Sequence, residues 1–318
     1  MKWLAVLLTC SVLGLSVPVA DAATYAAPKD AYGHPDLEGI WTNATATQLE
    51  RPGGVTGLTI PDADAPALAK AIAQAFYGAQ DPVGGRQSEW WEIAPRLARI
   101  EGAYRTSQIV EPADGKLPYS EAGRRTQAAA MAAVTADFTG PESRPPPERC
   151  LAGGSGASST PMFTAPYNAN YKIVQTADTV AILAEALHAV RIIPLGVPRK
   201  PALEPRRWMG NSVGWWEGQT LVVETAGFNP GEQFKPNGAP YVSKEARVTE
   251  RFTRTGAGEI LYEYAVDDPV AYNRTWRVQT VLSATPGPMF EYACHEGNYG
   301  MEGILAGARQ VEARGADR

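Results

Sequence analysis

The sequence predicts a mainly β protein: an antiparallel barrel or barrel-like meander with an N-terminal helical and loop extension. A β-sandwich is the alternative. Three observations lead there. Beyond Tyr171 the chain breaks into short runs of alternating polarity bounded by turn signals, the pattern of antiparallel strands with tight connections. Glycine (31) and proline (26) are abundant among the 318 residues, which favours many turns between short elements over long helices. No strand–helix alternation of the kind that builds a parallel sheet runs along the chain. Closing the meander on itself removes its edges, so the barrel is preferred to an open sheet.

Residues 23–148 read as an extended and helical region packing on that sheet. Gly39–Asn43 is its first strand candidate. Asp62-Ala63-Asp64-Ala65-Pro66 opens a helix. Acidic residues stand at its front, Pro66 suits a first turn, and Leu68, Ile72 and Phe76 recur on one face. Glu89–Ile93 is aromatic and has no clear period. Ser107–Glu111 reads as a short strand before the turn at Asp114-Gly115. Ser120 is the expected N-cap of an alanine-rich helix running to about Ala133. Pro145-Pro146-Pro147 is a stiff extended end to the region.

Residues 149–312 form the β domain. Its strand candidates are Tyr171–Thr176, Thr179–Glu185, His188–Pro194, Thr220–Thr225, Ala246–Thr253, Glu259–Asp267, Thr275–Ser283 and Met289–Cys294. Ile260, Tyr262, Tyr264 and Val266 share one face, as do Trp276, Val278, Thr280 and Leu282. Asn298–Val311 reads as a short helix over one mouth, and 313–318 as a charged tail.

The first residues have the three-part layout of an export signal. Lys2 supplies a positive start, Trp3–Val19 an apolar run, and Ala20-Asp21-Ala22 a cleavage pattern. Residues 1–22 are therefore assigned as a signal peptide, with a lipid anchor at Cys10 as the alternative. The protein is expected in the periplasm or secreted, with no membrane association after signal removal. Of the three cysteines, Cys10 leaves with the signal. Cys150 and Cys294 remain in an oxidising compartment, either as one disulfide or as two free thiols. A net charge of −5, from 29 Lys+Arg against 34 Asp+Glu, argues against a nucleic-acid partner.

Several segments resemble a large group of exported bacterial proteins of unassigned function. Members carry a Pro-Asp-Leu-x-Gly-x-Trp segment near the mature start and a Tyr-Ala-Cys-His-Glu-Gly-Asn-Tyr segment near the end. Here these are Pro35–Asn43 and Tyr292–Tyr299, with Glu148–Leu151, Trp215–Thr225 and Val248–Thr253 between them. The resemblance implies export but no particular reaction. Gly39-x-Trp41 followed by a strand meander is also similar to lipocalin-like barrels, which concerns the fold alone.

Only three histidines are present. His34 lies in the turn Gly33-His34-Pro35. His188 opens a strand candidate, three residues after Glu185, and shares a face with Val190 and Ile192, opposite Arg191. His295 follows Cys294. A disulfide would pin that segment against Glu148-Arg149, holding His295, Glu296, Asn298 and Tyr299 in a fixed, inward-facing loop. The catalytic candidates are therefore His295, Glu296, His188, Glu185 and Tyr299. Arg149 and Arg191 are candidates for a substrate carboxylate, and Trp208, Trp216 and Asn298 for the pocket wall. Glu250 is expected to face inward, because Val248 and Phe252 share its side, and there to contact the substrate as a proton donor or acceptor.

No H-E-x-x-H or close ligand pair is present, so no metal is expected. Dinucleotide and phosphate motifs are absent, so no cofactor is expected. Gly153–Ala157 nearly matches G-x-S-x-G but follows proline-rich sequence, and reads as a loop. The expected function is cofactor-independent proton transfer on a small aromatic or terpenoid-like molecule, by a lyase, decarboxylase or isomerase. The alternative is a non-enzymatic carrier of small apolar ligands.

Overall fold

The computed structural model describes residues 25–77, 96–153, 156–165, 167–196, 198–233 and 240–316. Residues 1–22, Glu89–Ile93 and Ser155 lie outside the described residues. The strands are β1 (Gly39–Thr42), β2 (Thr59–Ile60), β3 (Arg99–Ile100), β4 (Ala103–Arg105), β5 (Ile109–Glu111), β6 (Asn170–Gln175), β7 (Thr179–Ala184), β8 (Val190–Pro194), β9 (Asn211–Glu217), β10 (Thr220–Ala226), β11 (Arg247–Gly256), β12 (Glu259–Asp267) and β13 (Trp276–Ala284). The α-helices are α1 (Ala65–Tyr77), α2 (Glu121–Ala136) and α3 (Tyr299–Ala316).

The large sheet runs β8-β7-β6-β1-β13-β12-β11-β10-β9, with β5 also pairing with β13. Its two end strands meet: Leu195 and Gly214 form a parallel bridge, and the Gly196 amide donates to the Gly214 carbonyl at 3.0 Å. The result is a nearly closed antiparallel barrel. The sandwich alternative is not what forms. From the N-terminal region, β1 is built into the wall. It pairs Ile40 with Lys172 on β6 and Trp41 with Ala284 on β13.

Strict alternation explains the barrel interior. On β12 the buried residues are Ile260, Tyr262, Tyr264 and Val266, and on β13 Trp276, Val278, Thr280 and Leu282, the faces expected from the sequence. Val248, Glu250 and Phe252 are buried on β11. Each large apolar side chain withdrawn from water in this way contributes about 1.5–3 kcal/mol. Trp41 is buried from β1, and its indole donates to the Leu37 carbonyl at 2.9 Å.

The lumen is filled from within by the chain itself. Residues 156–163 form a buried plug of small side chains (Ala157, Ser158, Ser159, Thr160) that fit between the wall aromatics. Tyr171 Oη donates to the Ala157 carbonyl at 3.0 Å, the Met162 amide donates to Tyr262 Oη at 3.0 Å, and Asn43 Nδ2 donates to the Phe163 carbonyl at 3.1 Å. These bonds satisfy backbone groups that no ladder reaches.

Ser120 caps α2 as expected, its Oγ accepting from the Gly123 amide at 2.9 Å. Gly123 lies so close to the Ala271 carbonyl that a Cβ there would come within 2.0 Å of its oxygen. Met289–Cys294 is a correction: it is not a strand but an irregular strap laid over the barrel. The Phe290 amide donates to Glu185 Oε1 at 2.9 Å, and the disulfide Cys150–Cys294 spans 144 residues. Beyond the strap, α3 continues through Ala316, past the start of the expected tail.

Candidate functional site

The least complete part of the barrel wall is the seam between β8 and β9. Below the Leu195–Gly214 bridge no further ladder pairing joins them. A cleft of about 680 Å³ occupies this seam, walled by β8, by the start of β9 and by the crossover between them. That size suits a small organic molecule.

Four cations line the cleft: Arg191, Arg199, Lys200 and Arg207. Among the described residues no carboxylate and no histidine is in its lining. Nor, among these residues, does any side chain pair with the side chains of Arg199, Lys200 or Arg207, although the Arg207 backbone bridges to Phe228. Val190 and Ile192 add an apolar surface and stand 52% and 58% exposed. A second cleft of about 600 Å³ carries charges of both signs, with Glu50 and Asp114 beside Lys116, Arg124 and Arg274, so its charge selects no ligand class. In a chain of net charge −5, the one-signed seam cleft is the distinctive feature.

Behind the seam lies a buried ion pair. Arg191 donates to Glu250 through Nη1 at 2.9 Å and through Nη2 at 2.5 Å. The Arg191 side chain is 2% exposed and that of Glu250 0%. Tyr262 Oη donates to Glu250 Oε1 at 2.7 Å, and Arg191 Nη2 also reaches Ser212 and Thr225 at 3.4 Å. Two charges this far from water are tolerable only when paired and hydrogen-bonded. Burial alone would pull the Arg191 guanidinium down, but Glu250 outweighs it and the net shift is upward. Burial, then the Glu250 charge, pushes the Tyr262 and Tyr264 hydroxyls well above the usual tyrosine value.

The structure therefore brings together Arg191 and Glu250, which the sequence placed in separate roles, and it sets Trp208 in the cleft wall. It corrects the face of β8. Arg191 and Ile193 point inward, whereas Val190 and Ile192 face out. His188 is exposed at the end of a short 3-10 helix (Ala186–His188) with φ 38°, ahead of the strand rather than in it, and its Nδ1 meets the Tyr292 carbonyl at 3.1 Å. Glu185 is buried and fully engaged, Oε2 accepting from Asn170 at 2.6 Å and Oε1 from the strap.

The disulfide-held segment faces solvent and not the lumen. His295, Glu296 and Tyr299 are exposed, and Asn298 Nδ2 donates to the Glu148 carbonyl at 3.0 Å. Arg149 reaches the Glu142 carbonyl at 3.5 Å. Trp216 is half-buried and stacks on His34 with ring centroids 5.3 Å apart. Sequence reasoning missed Arg199, Lys200, Arg207 and Ser212. The signal was present in the Arg199-Lys200 and Arg206-Arg207 pairs, two basic doublets in an acidic chain.

Comparison with protein-family models, with curated proteins and with solved structures finds no match. Among the described residues no group of three or more His, Cys, Asp or Glu side chains gathers as metal ligands, and no helix is long and apolar enough to cross a membrane. A disulfide-bonded barrel is compatible with export.

Proposed function

We propose that the protein is an exported binding protein for small organic anions with an apolar body, taken up in the seam cleft. The observation that carries this reading is the lining among the described residues: four cations, of which only Arg191 is matched by a buried carboxylate, no carboxylate in the cleft itself, and exposed valine and isoleucine beside them. Burial of the ligand's apolar part supplies affinity, and the cations supply selectivity and steer encounter. Export, and kinship with the group that Pro35–Asn43 and Tyr292–Tyr299 resemble, belong to the same proposal. Carriage is favoured over proton transfer because, among the described residues, no carboxylate or imidazole lines the cleft to act as acid or base.

Tryptophan fluorescence titration with aliphatic and aromatic carboxylates tests the reading, since Trp208 is in the wall. Saturable binding is expected that weakens as salt rises. The triple variant Arg199→Ala, Lys200→Ala, Arg207→Ala is expected to lose about tenfold or more in affinity. Unchanged affinity in that variant, or chemical conversion of a bound carboxylate, overturns it.

A further inference from the structure

We infer that the cleft's ligand is a short, extended, acidic peptide that docks as an added strand along the open edge of β8. The inference rests on the anion-binding reading above and names the class of anion.

Ladder alternation shows which backbone groups face the seam. In an antiparallel pair, successive residues turn their N–H and C=O groups alternately toward the partner strand and away from it. The Ala184 amide donates to the Ala189 carbonyl at 2.9 Å, and the Leu195 amide to the Asp178 carbonyl at 2.7 Å. Both bonds keep the β7–β8 register, which pairs Leu183 with Val190 and Ala181 with Ile192. Ala189, Arg191, Ile193 and Leu195 therefore address β7, and Val190, Ile192 and Pro194 turn their backbone groups to the seam. On β9 the Gly214 carbonyl accepts from Gly196, so Ser212, two residues earlier, faces the seam as well.

Pro194 keeps the seam from closing. Below the Leu195–Gly214 bridge, the next rung of a parallel ladder needs an N–H at position 194 for the Ser212 carbonyl, and proline has none. Among the described residues no bridge pairs Val190 or Ile192 with β9. Both residues line the cleft, and their side chains stand exposed on the outer surface. Arg191 takes no part: its side chain points into the barrel and is held there by Glu250.

An open strand edge binds a peptide through main-chain hydrogen bonds and selects it through alternate side chains. Val190 and Ile192 favour apolar residues on the outer face of the added strand. Arg199, Lys200 and Arg207, exposed and unopposed among the described residues, favour carboxylates. A simple carboxylate meets the same cations but leaves the edge unpaired.

The experiment is calorimetric titration of the full, disulfide-intact chain with an end-capped hexapeptide of alternating valine and glutamate. The other probes are two N-methylated forms, one methylated at every valine and one at every glutamate, a form with lysine in place of glutamate, and hexanoate. The parent peptide is expected to bind about tenfold or more tighter than hexanoate. One methylated form, whose methyl groups meet β8, is expected to lose about tenfold, and the other to stay within about twofold of the parent. The lysine form is expected not to bind, and the triple variant Arg199→Ala, Lys200→Ala, Arg207→Ala to lose about tenfold for the parent peptide. Equal affinity of the two methylated forms, parent binding no tighter than that of hexanoate, or parent binding unchanged in the triple variant overturns the strand docking. So does sedimentation of the chain as a dimer that the peptide does not dissociate, which assigns the edge to a second copy. Hexanoate binding in any of these cases leaves the anion site standing, whereas binding of neither peptide nor hexanoate removes both.

Discussion

The barrel lumen and the C-terminal strap are both rich in polar side chains, and they treat them in opposite ways. In the lumen Glu250 accepts from Arg191 and Tyr262, and the tyrosine passes the connection on to the plug at Met162. On the strap a disulfide holds the backbone at Cys294, yet His295 and Glu296 stand in water. A covalent anchor fixes where a segment lies. It does not create the low-dielectric surroundings that make polar groups unusual. The residues whose charge and position are tightly constrained are therefore the ones without a covalent tether, and only Arg191 among them reaches a cleft.

The contrast is most sharply tested by breaking the buried pair. Glu250→Leu leaves the Arg191 charge stranded and is expected to cost about 3–5 kcal/mol in urea unfolding. The double variant Arg191→Met, Glu250→Leu should recover most of that loss, since an apolar replacement removes both desolvated charges. A loss below about 1 kcal/mol in the single variant means that water reaches the lumen. Next in size is the strap. Cys150→Ser with Cys294→Ser is expected to cost roughly 2–4 kcal/mol, and limited proteolysis should then cut within residues 285–298 faster than in the parent. The smallest effect is expected from His295→Ala and Glu296→Gln, each within about 0.5 kcal/mol of the parent in stability and with ligand affinity unchanged. A loss of turnover on any carboxylate in these two variants would restore the strap as a catalytic segment.

Most of the barrel was legible because its strands obey one rule. Glu259–Asp267 was read with its observed bounds, since polar and apolar residues alternate without interruption between two turns. The inward position of Glu250 was legible for the same reason, from Val248 and Phe252. β8 misled because its two exposed residues are apolar and its inward one is an arginine, so the hydrophobic pattern names the wrong face. Asn211–Glu217 was not read as a strand: Gly214 and the Trp215-Trp216 pair interrupt the period, and what places this segment is its antiparallel ladder with β10, from the pair Asn211 and Ala226 to the pair Glu217 and Thr220. The plug has no periodicity to read. Its small residues look like a flexible loop until the wall tyrosines that bond its backbone are known. Met289–Cys294 resembled a strand locally, but Glu185 and His188 take its backbone groups and no neighbouring strand does.

The place of β1 in the wall constrains how this chain reaches its native state. Gly39–Thr42 lies between β6 and β13, so its partners are made long after it, the last of them at Ser283 and Ala284. Until β13 emerges from synthesis, the earliest strand has an unfilled edge, and the meander from β6 onward has a gap where it belongs. Sequence-distant pairing of this kind slows assembly and leaves unpaired edges open to other chains in the interval. A chain so arranged must be kept from premature association until nearly all of it is available.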